Sequence, residues 1–242
     1  MTSQSKLSQR TRYIPIRFSV RQLIVVISLC AIWIGYEVRQ HRTIAQSIAI
    51  LNRQRSTYDC KPFKYWSVQS LLPEIKSTYG QPLLGRITDV RNHGKLETVS
   101  DSEQFYFAVK QLPNLEILVI DGGAVNDALA TRILKLPLDS LALSEMPIGG
   151  SPLVQPSPTL AWLSFHRTRL DDNSLRSLGQ MPNLKYLDLT RTRISDASID
   201  YLATLQSLTT LIVCRTKISE GGFYELRRRM PATKLSYEKL RH

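Results

Sequence analysis

The sequence predicts an α/β fold, a right-handed solenoid of short parallel strands with helical returns, carried behind an apolar helix. Three observations predict it. An apolar pattern recurs at a 24-residue step through the C-terminal half. Each copy pairs an alternating stretch, as in a strand, with later apolar residues at steps of three, as in a helix. Ahead of the copies, Leu23 to Tyr36 is a run of fourteen residues without a charge.

The repeat carries most of the argument. Leu160 opens L-A-W-L-S-F-H-R-T-R-L-D-D, Leu184 opens L-K-Y-L-D-L-T-R-T-R-I-S-D, and Leu208 opens L-T-T-L-I-V-C-R-T-K-I-S-E. A further step reaches Ala232, where Leu235 and Tyr237 keep two apolar offsets. Upstream, copies start at Leu138 and Leu115, and the stretch from Leu84 to Asp101 reads as a degraded first copy. The alternating part forms a strand with residues such as Leu187 and Leu189 inward. A recurring Thr (Thr168, Thr192, Thr216) can satisfy backbone groups where the chain turns. An inward Leu170, Ile194 or Ile218 follows. Then come polar pairs, Asp171-Asp172, Ser195-Asp196 and Ser219-Glu220, whose first member suits a helix N-cap and whose acid complements the helix dipole. The returns bury Leu175, Leu178 and Met181 in one copy and Ile199, Leu202 and Leu205 in the next. One unit cannot bury its own apolar side, so several stack.

These lines resemble the leucine-rich-repeat family, in the ribonuclease-inhibitor-like subclass that reads L-x-x-L-x-L-x-x-T-x-I-[ST]-D and has a helical convex side. The front end resembles membrane-anchored leucine-rich-repeat proteins of planctomycete bacteria. Arg17-Phe18-Ser19-Val20-Arg21-Gln22-Leu23 is similar to their entry into an apolar run, and Tyr58-Asp59 with Trp66 is similar to the segment before their first repeat. The resemblance implies an anchor, a linking helix, a cap and a leucine-rich-repeat solenoid with strands concave and helices convex. The expected organisation is a basic tail over 1–18, a transmembrane helix over 19–38, a linking helix over 39–55, a cap with the degenerate repeat over 56–111, and the solenoid over 112–242.

The helical segment ahead of the repeats has three readings. A retained single-pass span needs about 20 residues, which Ser19 to Val38 supplies, with Arg21 and Glu37 near its ends and Trp33 and Tyr36 as interfacial aromatics. A secretory signal peptide would share the basic front, but no small-residue cleavage site follows the core. A buried soluble helix would need a packing partner that nothing downstream resembles. The retained anchor is the expectation. Its orientation is open, because Lys/Arg residues flank the run on both sides. Past the span, Ile44, Ile48 and Leu51 continue one apolar helix face that can lie along a lipid surface, pair with another copy or cap the solenoid; capping is the expectation.

Charge separates the regions. Of the net +12, the first 55 residues hold +8, so the bulk of the protein is nearly balanced. A nucleic-acid binder would carry a basic face on its folded body, and none is expected. The three cysteines, Cys30, Cys60 and Cys214, are scattered, giving no disulfide framework and no C-x-x-C site; Cys30 reads as a small buried hydrophobe. Phosphate-loop, dinucleotide, nucleophile-elbow and zinc-helix motifs are absent from the sequence, so no enzyme, cofactor or metal is expected.

The candidate site lies on the concave strand positions. Alignment of the copies stacks Trp162 with Tyr186 and Thr210, Ser164 with Asp188 and Ile212, and His166 with Thr190 and Cys214. Two cationic ladders leave the strands: Arg167, Arg191 and Arg215, then Arg169, Arg193 and Lys217. An aromatic floor with a basic rim suits an unidentified protein or an anionic ligand. The competing reading of the ladders is a solvated charged loop. The expected function is membrane-anchored recognition; the alternatives are a secreted or soluble module, and an adaptor-type substrate receptor. The copy from Leu138 departs from the pattern. Pro147, Pro152, Pro156 and Pro158 forbid a regular helix there, so its return is expected to be extended.

Overall fold

The computed structural model describes residues 20–54, 56–61, 86–93, 96–149 and 157–239. The tail over 1–18, Trp66, the start of the degenerate repeat at Leu84, the side chain of Leu178 and the centre of the proline-rich interruption lie outside them. The chain divides into two units, 1–42 and 43–242.

In the first unit the apolar run is helical, part of α1 (Val20–Arg53). The expected transmembrane helix over 19–38 is corrected: among the described residues no helix is long and apolar enough to cross a membrane. The uncharged stretch is too short. Fourteen residues rise about 21 Å as a helix, against a hydrocarbon core of about 30 Å. Cys30, expected to be buried, is exposed. So are Ile24, Val25, Ile27, Leu29, Ile32, Trp33, Ile34 and Tyr36, each at 54% or more. The helix α1 runs without a break to Arg53, through the segment expected as a linking helix.

The second unit opens with the end of α1, where Leu51 is buried and Ile48 and Ile50 pack against the core. This is the capping role that the spacing of Ile44, Ile48 and Leu51 predicts. Behind it runs one eight-stranded sheet in sequential order: β1 (Thr57–Lys61), β2 (Arg86–His93), β3 (Ile117–Asp121), β4 (Ser140–Ser144), β5 (Trp162–Ser164), β6 (Tyr186–Asp188), β7 (Thr210–Ile212) and β8 (Lys234–Ser236). Only β1 and β2 pair antiparallel; every later pair is parallel. The sheet is therefore a solenoid of strand-and-return units, the α/β architecture that the repeat predicts. The weak copy before Leu115 supplies a full strand, β2, and a helix, α2 (Val99–Lys110).

Register places like on like. Leu118, Leu141, Leu163, Leu187 and Leu211 pair in one continuous row, and all five are fully buried. Each such side chain contributes about 2 kcal/mol of transfer free energy, and none can be buried without its neighbours. Leu170, Ile194 and Ile218 form a second buried row where the chain leaves the sheet.

The returns are less helical than the subclass resemblance implies. α3 (Asp127–Leu134) and α5 (Glu220–Arg229) are regular. The copy from Leu160 returns through a 3₁₀ segment, Asn173–Gln180, and the next through a 3₁₀ turn, Asp196–Ser198, followed by the single turn α4 (Ile199–Leu202). The predicted apolar anchors hold: Leu175, Met181, Ile199, Leu202 and Leu205 are buried. Between β4 and β5 no helix occurs among the described residues; the centre of that return, with Pro152 and Pro156, lies outside them.

Candidate functional site

Alternation along each strand turns one set of side chains to the core and the other to the open face of the sheet. On β5 and β6 the inward residues are Leu163 and Leu187, so Trp162, Ser164, Tyr186 and Asp188 lie on the open face. Register brings the predicted rows together: Trp162 with Tyr186 and Thr210, and Ser164 with Asp188 and Ile212. The Trp162 and Tyr186 rings stack at 4.8 Å between centroids with planes 10° apart. That separation is the strand spacing itself, so the sheet sets the stack before any ligand arrives.

The polar members are tied into the fold. Ser164 is only 4% exposed and offers little surface. Asp188 accepts from the Thr190 backbone N–H at 2.8 Å and from its hydroxyl at 2.5 Å. This closes the turn after β6 and fixes the carboxylate beneath the aromatic stack. Burial raises the Tyr186 phenol above its ordinary value, and the Asp188 charge adds to the rise. Burial, then Glu238 and Asp188, likewise push the Cys214 thiol up, away from the thiolate that a nucleophile requires. His166 lies two residues beyond β5; its carbonyl accepts from the Glu145 backbone N–H at 2.9 Å. Among the described residues no group of His, Cys, Asp or Glu could hold a metal.

The turn after each strand has a feature that the sequence pattern hides. Glu145, Arg167, Arg191 and Arg215 adopt left-handed backbone, with φ of 55° to 57°. The equivalent residue in the copy from Leu115 is Gly122, at φ 76°. Left-handed backbone costs a non-glycine residue roughly 1 kcal/mol. The following Thr closes the turn: Thr168, Thr192 and Thr216, each 4% exposed, donate to the carbonyls of Phe165, Leu189 and Val213 at 2.7–2.9 Å. This is the backbone role predicted for the recurring threonine.

The first arginine ladder is partly neutralised from within. Arg167 pairs with Glu145 at 2.8 Å and Arg215 with Glu238 at 3.0 Å. Both acids come from neighbouring copies outside the alignment's three best lines. Among the described residues Arg191, Arg169, Arg193 and Lys217 have no acidic partner within ion-pair distance. The triplet Arg227-Arg228-Arg229 is also partly committed. Arg228 and Arg229 both reach Glu225 and hold its carboxyl down to about 2, and Arg229 also reaches Asp200.

On the other side of each turn the acids form a ladder. Asp172 accepts from the backbone N–H and hydroxyl of Ser195, both at 2.7 Å. Asp196 does the same for Ser219, at 2.8 and 2.7 Å. In the copy from Leu115, Asp127 accepts from the Gly149 N–H at 2.7 Å. The predicted N-caps are present as well, with Ser219 accepting from Gly222 and Ser195 from Ala197. The acid therefore joins one copy to the next rather than only facing a helix dipole.

An α/β solenoid of stacked strand-and-return units is the class that this fold defines. No protein-family model matches the chain, and no curated protein matches it. Among solved structures it is similar to an internalin C2 from Listeria monocytogenes, at 17% identity over 67% of this chain and 80% of that one, with a TM-score of 0.49. It is also similar to pollen receptor kinase 3, at 16% identity over 78% and 92%, TM-score 0.44. A third similarity is to the Listeria monocytogenes internalin inlF, at 16% identity over 62% and 55%, TM-score 0.31.

Proposed function

We propose that this chain is a recognition scaffold that holds a protein partner on the open face of its sheet, with Trp162 and Tyr186 as anchors and Asp188 and His166 beside them. The stacked pair carries the reading. Two large rings fixed by adjacent strands lose little further freedom on binding, and aromatic anchors ringed by polar groups are what dominate binding energy at protein interfaces. A photo-crosslinker at Thr210, beside the stack, is the test, with one at Lys185 as the off-site control. Partner adducts should form at Thr210 and disappear in Trp162→Ala/Tyr186→Ala while the circular dichroism stays native. Equal adducts at both positions would leave the open face with no special role.

A second element concerns placement. The exposed apolar residues Ile24 to Tyr36 cover every side of α1 in the first unit. A protein partner would cover one side; a helix apolar all round needs an apolar medium. We propose that this stretch sits among lipid acyl chains, reaching partway into the hydrocarbon core. With Trp66 and Trp162 replaced by Phe, Trp33 fluorescence should shift to the blue on adding phosphatidylglycerol vesicles and be quenched by brominated acyl chains. Emission unchanged by vesicles would refute the placement.

A further inference from the structure

The two cationic ladders, alike in sequence, differ in what surrounds them. Glu145 and Glu238 neutralise the ends of the first ladder. The second, Arg169, Arg193 and Lys217, is exposed along its length and has no ion-pair partner among the described residues. The acids nearest in sequence are directed elsewhere: Asp171 accepts from Ser174, Asp172 from Ser195 and Asp196 from Ser219, and Glu220 lies against Lys239. Its backbone is rigid: the N–H groups of Arg169, Arg193 and Lys217 donate to Ile148, Leu170 and Ile194 of the preceding copies at 2.7–2.9 Å. Three like charges are thus held on adjacent rungs, with Arg191 as a fourth unpaired cation beside them.

We infer that this ridge binds a short acidic segment of a protein partner, its carboxylates seated across the three rungs. The ridge is bounded, which decides the partner's size. At about 4.8 Å per copy the rungs span about 10 Å, the reach of about three extended residues. Beyond Arg169 the row reaches Pro147, which carries no charge, and Glu145, Glu238 and Glu220 are already paired with Arg167, Arg215 and Lys239. A segment with two or three carboxylates matches the three rungs, and a longer polyanion gains no further cation from this row on the Pro147 side. Exposed charge pairs are individually weak, so affinity depends on all three rungs together and falls as salt screens them. Arginine adds a planar fork that matches a carboxylate.

The inference rests on the recognition reading but concerns the edge of the sheet, not its open face. Fluorescein-labelled tetraglutamate is the probe, with tetraglutamine as its neutral counterpart, read by anisotropy at low and at physiological ionic strength. The full chain should bind tetraglutamate alone. Arg169→Gln/Arg193→Gln/Lys217→Gln should weaken that binding about tenfold and remove most of its salt dependence. Lys110→Gln/Lys135→Gln/Arg227→Gln removes the same charge from exposed helical returns and should leave affinity within about twofold. Equal loss in both triple variants, equal binding of both peptides, or tighter binding per charge of a long polyphosphate would each overturn the acidic-segment assignment. The Thr210 adducts report separately on the open face. Their persistence in the ridge variant, with the tetraglutamate affinity lost, distinguishes failure of one reading from failure of the other.

Discussion

Two ladders of charge leave the same turns of this solenoid and end in opposite situations. On one side Asp172 and Asp196 each accept from a serine in the following copy, and Asp127 from the Gly149 N–H, so these copies are tied to the ones after them. On the other side the cations of the second ladder project without partners, and the first ladder is neutralised only at its ends. Periodic charge can therefore be either part of the joint between units or free surface. What separates the two is whether the neighbouring copy brings a complementary donor or acceptor within reach. The acid ladder is structural because the repeat supplies its own serine; the cation ladder is available because the repeat supplies no acid at that offset.

The comparison is best broken at Gly222, where the acid ladder has no room to yield. A Cβ there would lie 2.1 Å from Asp196 Oδ1 and 2.7 Å from its Cγ, and the carboxylate cannot swing away without dropping Ser219. Helix propensity alone would favour alanine by about 1 kcal/mol, but the clash should cost about 3 kcal/mol. Gly222→Ala should lose about 2 kcal/mol net by urea unfolding, while Gly221→Ala, whose Cβ meets nothing closer than Ser219 Oγ at 3.7 Å, should gain or stay neutral. If both changes stabilised, the joint would not be as tight as the geometry requires.

Next in size is Asp196→Asn. It removes the charge and replaces one acceptor oxygen with a donor facing Ser219, at a cost of about 1.5 kcal/mol. Arg193→Gln, one copy away on the opposite ladder, should change stability by no more than about 0.5 kcal/mol. Similar losses from the two would erase the distinction between joint and surface.

The smallest expected effect is a pH slope. The Glu225 carboxyl lies at about 2 in the folded chain against an ordinary 4.5, because Arg228 and Arg229 donate to it. Its folded value is depressed, so its stabilising contribution is present above the ordinary value and is lost as pH falls from about 4.5 toward 2. Glu225→Gln should flatten the change in urea midpoint across that window, and added salt should shrink the difference, since the pair is exposed. An identical slope in the two proteins would show that the pair contributes nothing measurable.

The repeat was readable before any coordinate because its information is local and periodic. Leu163, Leu187 and Leu211 sit at one offset, and a one-residue slip would turn all of them to the open face. The stacking of Trp162 on Tyr186 followed from the same alignment. The extent of the returns did not follow, since 3₁₀ and α segments share the spacing of Leu175 and Met181. The length of the apolar run misled in another way: counting from Ser19 to Val38 borrowed Arg21 and Glu37 to reach the length of a span. Nor did the alignment show Glu145 and Glu238 as partners of the arginines, because both lie outside the three best-matched lines.

By itself, then, the sequence determined the order of strand, turn and return, the core rows and the residues that share a row on the sheet, because each depends on periodicity along the chain. Only the tertiary structure decided which charges are satisfied, which turns are left-handed and which rungs remain free. Those outcomes depend on the distance between side chains in different copies, and ion pairing and hydrogen bonding are lost within an ångström or two. The C-terminal half remains a solenoid, and among the described residues its second ladder, from Arg169 to Lys217, has no acidic partner within ion-pair distance.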